Sequence, residues 1–571
     1  MSRFTDHRRF VAVAAAGVLA LGVAACSSSS SPAAAGSSPK AATSDMGPTL
    51  VMEASPETTI TQNFNPYDTP AALNGMGPEG LIYEPLIEFD IASPPTYYPW
   101  LATSFTWSNG GKSITFAIRQ GVKWSNGTPF TPADVAFTFN LLKKWPALNL
   151  DGVDPTTVTT SGNNVTLTFA TAQYANLLNI ASSAILPESI WSKVGDPATY
   201  ADPNPVGTGP FVLDTYTPQG VTLKENPNYW QANLIHVPKV YFPVYTSNTA
   251  AFTALFSNQI DWAGNYIPGL QQQFVDTSPS THHYWEAAGS DNALWPNLNT
   301  WPTNQLPVRQ AISDAINRTL IASEGESGLE NPALNSTGLT LPTFAAWSAP
   351  VASMTNSASA DPSAAASVLE KAGYTKGSNG YFQKGGKTVA LTLVDPSAYT
   401  DYIADDSLIV SELKAAGIDA TLSGIAVTTW LSDVQDGSFQ LTLHWGSNGI
   451  TPYNGYAYWL NSADVTSTGA TADFERLNDP AIDADLATLA TAETTAEQTT
   501  DLVPLEQYVA SNLPIIPTTT ASDWFEYNST HYTGWPTQSD PYDAGQPSGS
   551  NVAGSTGTNL VVILHLKPTG S

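Results

Sequence analysis

Strand-like and helix-like hydrophobic patterns alternate along this chain, and their alternation predicts an α/β protein. Ile114, Phe116 and Ile118 stand at every second position, as on one buried face of a strand. Residues 308–320 instead repeat apolar side chains at a period near 3.6, which is typical of a helix with one packed face. A second alternating stretch at 389–393 precedes a further helical pattern. These segments are long and apolar enough to predict a sizeable folded body.

Composition narrows the classes of function. The chain has 571 residues, enough for about two to four domains. Hydrophobic content of 42% and 16 Trp predict a folded globular protein, although only 12% of residues are charged. A formal net charge of −28 disfavours binding to nucleic acid, because such a surface repels polyphosphate. We also expect no basic cluster that could seat anionic lipid.

The first residues are typical of a targeting segment. Three Arg precede an uncharged run at 10–25 that is short for a membrane span. Cys26, the only cysteine, follows small residues in a pattern that resembles a bacterial lipobox. We therefore predict lipidation of Cys26 and export to the outer face of the cell membrane, the alternative being an ordinary secretory signal with an incidental cysteine. Residues 26–47 are rich in Ser, Ala and Pro, a composition that predicts a flexible tether.

No motif for catalysis, a cofactor or a metal stands out. The sequence has no nucleophile elbow, zinc-protease, phosphate-loop or Cys/His pattern. His282 and His283 are adjacent, so a strand would point them to opposite faces, which is poor geometry for chelation. We expect neither a metal nor a cofactor, and no catalytic residue. A pair of carboxylates for glycoside hydrolysis stays open, because the chain has 49 acids.

Local signals predict several element boundaries. Pro and Gly in residues 204–210 predict a tight loop, which feeds two strands joined by a turn at Pro218-Gln219-Gly220. Thr131-Pro132 and Asp361-Pro362 each place a capping side chain before a proline, a typical helix start. A phosphate-binding role for the loop is disfavoured, because a strand rather than a helix follows it.

Several motifs in order carry a family resemblance. Residues 204–211 (NPVGTGPF), with NPNYW at 226–230, resemble a signature of the dipeptide/oligopeptide/nickel family of extracellular solute-binding proteins, which serve ABC importers. The YEPL, PWLA and VRQAISDAINR stretches resemble further landmarks of that family. The resemblance implies a two-lobed, periplasmic-binding-protein-like (type II) fold with an additional domain inserted in the first lobe. It also implies a monomeric, non-enzymatic receptor that works with permease and ATPase subunits.

The resemblance, with the targeting signals, assigns each part of the chain to a domain. The predicted parts are a lipoprotein signal peptide (1–25), the tether (26–47), a first lobe (48–60, 206–285 and 521–571), an additional domain (61–205) and a second lobe (286–520).

Aromatic residues beside amides and hydroxyls predict the ligand class. Flat rings stack on sugar faces while neutral polar groups bond sugar hydroxyls, so this composition favours a neutral oligosaccharide such as a cello-oligosaccharide. Peptide-binding members of the family commonly carry an Asp shortly after a Trp, and the corresponding segment 444–460 has no acid. The predicted ligand contacts are Trp295, Asn297, Trp301, Trp445 and Tyr453, with Asn65, Trp262 and Trp524.

Three alternatives remain at this stage. An oligopeptide or dipeptide receptor fits the wider family. A secreted polysaccharide hydrolase would need two convergent carboxylates in a cleft, and an adhesion lipoprotein would need no small ligand at all.

Overall fold

The structure is a computed structural model that describes residues 46–53, 60–68, 77–94, 96–149, 152–447, 449–467, 469–547 and 559–570. The predicted signal peptide, Cys26 and nearly all of the predicted tether lie outside the described residues. None of the helices described is both long and apolar enough to cross a bilayer.

A seven-stranded mixed sheet organises what we call the first lobe. Leu50–Glu53 lies at its centre, parallel to the strands on both sides of it. From one edge to the other the strands are His282–Tyr284, Glu526–Asn528, Trp262–Ala263, Leu50–Glu53, Lys239–Pro243, Gly220–Glu225 and Phe211–Thr217. The sheet therefore collects strands from three distant stretches of the chain.

A six-stranded sheet organises the second lobe. Its order is Asn331–Pro332, Ile516–Asp523, Ala287–Pro296, Leu441–Trp445, Ala390–Pro396 and Asp419–Ile425. Ala287–Pro296 lies inside this sheet and is covered on both faces, since Leu294 belongs to one hydrophobic cluster while Ala293 and Trp295 belong to another. Packing on both faces is expected of a central strand between layers of helices.

A four-stranded antiparallel sheet lies in residues 102–168, in the order Ala102–Ser108, Ser113–Ile118, Asn164–Thr168 and Thr157–Ser161. Its buried residues Ile114, Phe116 and Val165 belong to the same hydrophobic cluster as Leu50 and Val240 of the seven-stranded sheet. The additional domain and the first lobe therefore share one continuous core. The residue boundaries drawn from the sequence stay a prediction, and the strand Ile516–Asp523 runs past the predicted end of the second lobe.

Helices and small sheets complete the two lobes. The α-helices among the described residues are Pro132–Lys144, Leu177–Ala181, Glu188–Trp191, Asn248–Phe256, Leu270–Gln273, Leu306–Ala315, Arg318–Leu320, Pro362–Lys371, Thr400–Ala416, Val427–Asp436, Tyr453–Leu460, Pro480–Leu489, Thr495–Asn512 and Asn559–His565. A three-stranded sheet is formed by Thr375–Lys376, Phe382–Lys384 and Lys387–Thr388, and two-stranded ones pair Ile87–Phe89 with Tyr97–Pro99, Val465–Thr466 with Gly469–Ala470, and Tyr532–Thr533 with Lys567–Pro568.

Both helix starts predicted from capping residues are confirmed. The Thr131 backbone N–H donates to the Asp134 carboxylate at 2.8 Å, in front of the helix Pro132–Lys144. Asp361 accepts from the N–H groups of Ser363 and Ala364, which caps Pro362–Lys371. One expectation is wrong: the helical face predicted to reach Leu320 breaks at Ile316, whose backbone is extended.

The loop at 204–210 is confirmed as a structural turn. Gly209 donates its N–H to the Ile82 carbonyl at 2.9 Å, and Gly207 accepts from the Ser125 N–H. A Cβ atom at either glycine would overlap the Ile82 carbonyl, so the backbone approaches too closely for any side chain. Asn226 of the NPNYW stretch secures the loop by donating its side-chain amide to the Gly209 carbonyl at 2.7 Å.

Three of the motifs that carry the family resemblance meet at one buried carboxylate. Glu84 of YEPL accepts from the indole N–H of Trp100 (2.6 Å), in PWLA, and of Trp230 (3.1 Å), in NPNYW. The two indole rings also pack edge to face at 5.8 Å. These motifs hold the first lobe and the additional domain together.

Candidate ligand-binding site

The two lobes are joined by two adjacent crossings of the chain. One runs from His282–Tyr284 into Ala287–Pro296, and the other from Ile516–Asp523 into Glu526–Asn528. The crossings stay hydrogen-bonded to each other, because Trp285 donates its N–H to the Phe525 carbonyl at 3.1 Å between the two lobes. Short paired crossings of this kind act as hinges in two-lobed proteins.

A cavity of about 890 Å³ opens at these crossings. Its volume is in the range of small-molecule sites. Residues of the first lobe, of the first crossing and of the second lobe line it: Gln271, Val275, His283, Tyr284, Trp285, Glu286, Gly328, Leu329, Tyr527, Thr537, Gln538 and Ser539. The cavity is therefore formed where the lobes meet.

A chain of carboxyl groups runs through the junction from one lobe to the other. These groups, which we call the junction carboxylates, are Glu53, Glu286, Asp291, Glu326, Glu330, Asp405, Asp523 and Glu526. Glu286 also lines the cavity. Within the described residues none of them forms an ion pair, and one oxygen each of Glu286, Asp291 and Glu526 is buried with no hydrogen-bond partner.

Burial dominates the electrostatics of these carboxyl groups. Removal from water raises the pKa of Glu53, Glu330 and Asp523 to about 7. For Glu286 and Asp291 burial raises the pKa well above the usual range, and repulsion from Glu526 and Glu330 respectively adds to it. Burial therefore favours the protonated form of these groups, and in the described residues no cationic side chain lies within ion-pair distance to offset it.

Among the junction carboxylates, Glu330 accepts hydrogen bonds from three different residues. Its carboxylate accepts from the Thr519 hydroxyl at 2.6 Å, the Ser522 N–H at 3.1 Å and the Asn292 side-chain amide at 3.1 Å. These donors come from both long strands of the hinge region. Glu330 is thereby fixed in place beside the second lobe's central strand.

Asp291 lies next to the segment that lacks an acid. Its carbonyl accepts from the Gly446 N–H at 2.8 Å, and the neighbouring residue Asn292 stands opposite Trp445 in the sheet register. The Asp291 side chain is only 2% exposed. The neighbouring strand therefore brings an acidic residue against the backbone of this segment.

Contacts across the junction bring the lobes together in this structure. The Tyr266 hydroxyl of the first lobe contacts the Gly325 carbonyl at 2.8 Å and the Ser327 hydroxyl at 2.9 Å. Leu329 of the second lobe packs against a hydrophobic cluster of the first. Within the first lobe, on its side of the junction, Asn265 donates its side chain to Glu53 and its N–H to Glu526. The segment that carries Glu326 and Glu330 is thus held against the first lobe.

Two predicted contact residues of the second lobe are structural. Trp295 is fully buried and packs on the rings of His444 and Phe474, at 4.8 and 5.5 Å. Asn297 is 1% exposed, and its amide donates to the carbonyls of Gly437 and Phe439. Both lie on or just after the central strand, where each face is covered, and their burial argues against the predicted role as ligand contacts.

Two predicted contacts of the first part of the chain are also buried. The Asn65 amide donates to the carbonyls of Pro197 and Tyr200, which leaves no free donor. The Trp262 indole donates to the Gly545 carbonyl at 2.7 Å inside the first core. The proposed site therefore does not include Asn65, Trp262, Trp295 or Asn297.

The remaining predicted residues are half-buried and lie in different places. Trp524 lies on the second crossing and packs edge to face on Tyr266 at 5.6 Å. Trp445 ends the strand beside Asp291, and Tyr453 begins the helix that follows. Trp301 instead stacks on Tyr374 at 6.3 Å, at the far end of the second lobe's central strand.

Sequence reasoning missed the junction carboxylates. Their residues are spread from 53 to 526, and no local spacing links them. The signal available in the sequence was an acid within an apolar strand or helix, as at Asp291, which is expected to be costly unless it serves a purpose. Within the described residues, no group of three or more His, Cys, Asp or Glu side chains is arranged to hold a metal ion.

Comparison with known proteins places the chain among solute-binding receptors. A family model described as bacterial extracellular solute-binding proteins, family 5 middle, matches residues 96–467. The nickel-binding periplasmic protein of Escherichia coli K12 is 28% identical over 422 residues, covering 70% of this chain and 76% of that protein. The oligopeptide-binding protein of Bacillus subtilis 168 is 26% identical over 260 residues, covering 41% and 47%. The chain thus spans about half the length of that oligopeptide-binding relative, as of the glutathione-binding ones.

Solved structures share the fold over almost the whole chain. The mannohexaose-bound periplasmic oligopeptide-binding protein of Thermotoga maritima superposes with a TM-score of 0.81 at 22% identity, covering 92% of this chain and 99% of that one. This likeness confirms the predicted two-lobed α/β fold. Because the family model covers more than half of the sequence, the protein belongs to family 5 of the bacterial extracellular solute-binding proteins.

Proposed function

We propose that this protein is the exported substrate-binding component of an ABC importer and that its ligand is an oligopeptide. The two lobes close on the ligand at the hinge, and the closed form is what a membrane permease recognises, while an ATPase on another chain drives transport. No bond is made or broken in this cycle. Lipidation of Cys26 would hold the receptor at the outer face of the cell membrane.

The observation that carries the ligand class is the chain of buried carboxylates at the junction. Asp291, Glu286 and Glu526 each have a buried oxygen without a partner, and no cation lies within ion-pair distance in the described part of the chain. An ammonium group offers three N–H donors and a positive charge, which together satisfy such oxygens. A peptide carries that group at its amino end. A neutral sugar could donate hydroxyl hydrogen bonds but, unlike an ammonium group, could not stabilise the ionised form of these buried carboxyl groups.

Asp291 is proposed to receive the peptide's amino end. Its backbone contact with Gly446 brings an acidic residue against segment 444–460, which has no acid of its own. Trp445, Tyr453 and Trp524 remain proposed contacts, since their side chains are half-buried rather than enclosed in a core. Trp301 packs against Tyr374 and Lys387 instead, so it is not among the proposed ligand contacts.

The names of relatives also support a peptide ligand, since oligopeptide-binding and glutathione-binding proteins are among them. The oligosaccharide hypothesis remains the second candidate. It is favoured by the half-buried rings of Trp445 and Trp524 and by the mannohexaose bound to the Thermotoga maritima structure.

Thermal melting against a panel of ligands tests the proposal. The panel contains di- to pentapeptides and β-linked di- to pentasaccharides. A ligand present at 100 times its Kd adds about 2.7 kcal/mol to the free energy of unfolding, which is readily seen as a shift in Tm. We expect peptides to raise Tm. A shift with saccharides alone would reject the peptide assignment, and no shift with either class would reject both.

A further inference from the structure

A positively charged patch lies at the far end of the second lobe, remote from the hinge. Between Glu370 and Asp395 the chain has four lysines, at 371, 376, 384 and 387, and no acid. This is unusual in a protein with 49 acids against 21 Lys and Arg. All four side chains are exposed. The expectation from composition that no basic cluster exists is therefore wrong.

The small three-stranded sheet brings three of these lysines onto one face. Lys376 stands opposite Phe382, and Lys384 stands opposite Lys387. Phe382 and Lys384 are two residues apart on one strand, so they share a face, and their cross-strand partners share it too. Lys371 ends the helix that leads into this sheet.

Aromatic rings, not carboxylates, lie under the ammonium groups. The Lys376 Nζ atom is 5.2 Å from the ring centroid of Phe382, Lys384 Nζ is 4.9 Å from that of Tyr374, and Lys387 Nζ is 4.9 Å from that of Trp301. None of these lysines has a carboxylate within ion-pair distance in the described residues. Cation–π contacts orient the side chains without neutralising them. The charge of the patch stays available to an external anion.

A fifth exposed lysine, on a neighbouring helix, extends the patch. Lys414 lies in the last turn of the helix Thr400–Ala416, which ends at Gly417. The stem of Lys376 passes close to Gly417, where a Cβ would lie 3.3 Å from Lys376 Cε. The two lysines are thus on neighbouring parts of one surface.

We propose that this surface, the lysine patch of Lys371, Lys376, Lys384, Lys387 and Lys414, docks on the anionic headgroups of the membrane to which the receptor is tethered. The described body begins at Met46, after the predicted anchor at Cys26 and its tether. Docking rests on the lipid anchor of the proposed function: a flexible linker of about 20 residues spans about 25 Å on average, so acylation of Cys26 would keep the body close to the bilayer. Acids outnumber Lys and Arg in the chain as a whole, so a face on which lysines cluster is the one best suited to approach an anionic bilayer.

Because salt screens distant charges, a local cluster of lysines is sufficient to attract an anionic bilayer. The Debye length is about 8 Å at physiological ionic strength, so the distant acids that give the net charge of −28 act weakly at this surface. Clustered lysines near an anionic bilayer each add to the attraction. Docking would orient the second lobe toward the membrane, independently of which ligand the cleft holds.

Vesicle co-sedimentation tests the proposal with the full chain. All proteins carry Cys26→Ala, which removes the acylation site. One variant adds Lys371→Gln, Lys376→Gln, Lys384→Gln and Lys387→Gln. The matched control instead neutralises four exposed lysines elsewhere, with Lys112→Gln, Lys123→Gln, Lys193→Gln and Lys567→Gln. Vesicles contain equal phosphatidylglycerol and phosphatidylcholine, or phosphatidylcholine alone.

We expect the patch variant to lose affinity for the anionic vesicles by roughly tenfold or more, while the control and the Cys26→Ala parent bind alike. A quadruple Lys→Arg variant of the patch should bind like the parent, which separates charge from misfolding. Equal binding by the patch and control variants would overturn the proposal. The proposal would also be overturned if the parent bound no vesicles but self-associated in a salt-sensitive way that the patch variant abolishes. The patch would then dock on a second copy of the chain.

Discussion

Asp291 is the junction carboxylate whose role is most open to test by a single substitution. Asp291→Asn keeps the shape and removes the ability to ionise against an ammonium group, so we expect affinity for a peptide with a free amino end to fall roughly tenfold to a hundredfold, as for a lost charged hydrogen bond. Isothermal titration calorimetry gives the affinity. Glu475→Gln is the matched control, since Glu475 is also fully buried with partnerless oxygens but lies outside the junction. Equal losses in both variants would mean that the effect is structural.

The raised pKa values of the junction predict how stability depends on pH. Glu53, Glu330 and Asp523 have a pKa of about 7 when folded, above the usual values of free carboxyl groups. The folded state therefore binds more protons than the unfolded chain between about pH 4 and 7. These groups favour folding below that range, and their contribution is lost as pH rises through 7. We expect the ligand-free protein to be more stable to urea at pH 5 than at pH 8. Greater stability at pH 8 would show that these carboxyl groups are already ionised in the folded state.

Residue-scale prediction from sequence succeeded where the signal is local and failed where it is tertiary. Thr131 and Asp361 cap helices because the groups they bond lie two or three residues away. Trp295 could not be distinguished from a surface ring, because whether both faces of its strand are covered depends on helices far along the chain. The junction carboxylates join residues from 53 to 526, and no spacing in the sequence announces them.

At the scale of an element, the loop at 204–210 is fixed by close backbone approach. Gly207→Ala places a Cβ against the Ile82 carbonyl, and backbone cannot move aside as a side chain can. We expect a loss of about 2 kcal/mol or more in the free energy of unfolding, measured by urea denaturation. Gly195→Ala is the control, because a Cβ there meets nothing within 4 Å. Similar stabilities for the two variants would show that the loop can relax.

The same loop shows how much of an element can be foreseen. Its Pro and Gly content predicted a turn, and the alternating residues after it predicted the two strands that form Phe211–Thr217 and Gly220–Glu225. The partner was not foreseeable, because Ile82 precedes the loop by more than a hundred residues. The helix predicted to reach Leu320 ended early at Ile316, where the backbone turns extended although the apolar period continues.

At the scale of the whole molecule, periodicity predicted α/β layers, while the two-lobed arrangement rested on family motifs. Those motifs are informative because they hold the structure together, as Glu84 does by joining Trp100 and Trp230. They say nothing about the ligand, since they lie away from the hinge crossings. The residues that indicate the ligand class are those at the junction between the lobes.

The most direct test of the account compares one peptide with its N-acetylated form by isothermal titration calorimetry at pH 7. The peptide is one that raises Tm in the ligand panel. If buried carboxylates at the junction receive an ammonium group, acetylation removes the charge that they need, and we expect binding to weaken by roughly a hundredfold. Equal affinity of the two forms would contradict the account, because the junction carboxylates would then play no part in recognising the peptide's amino end.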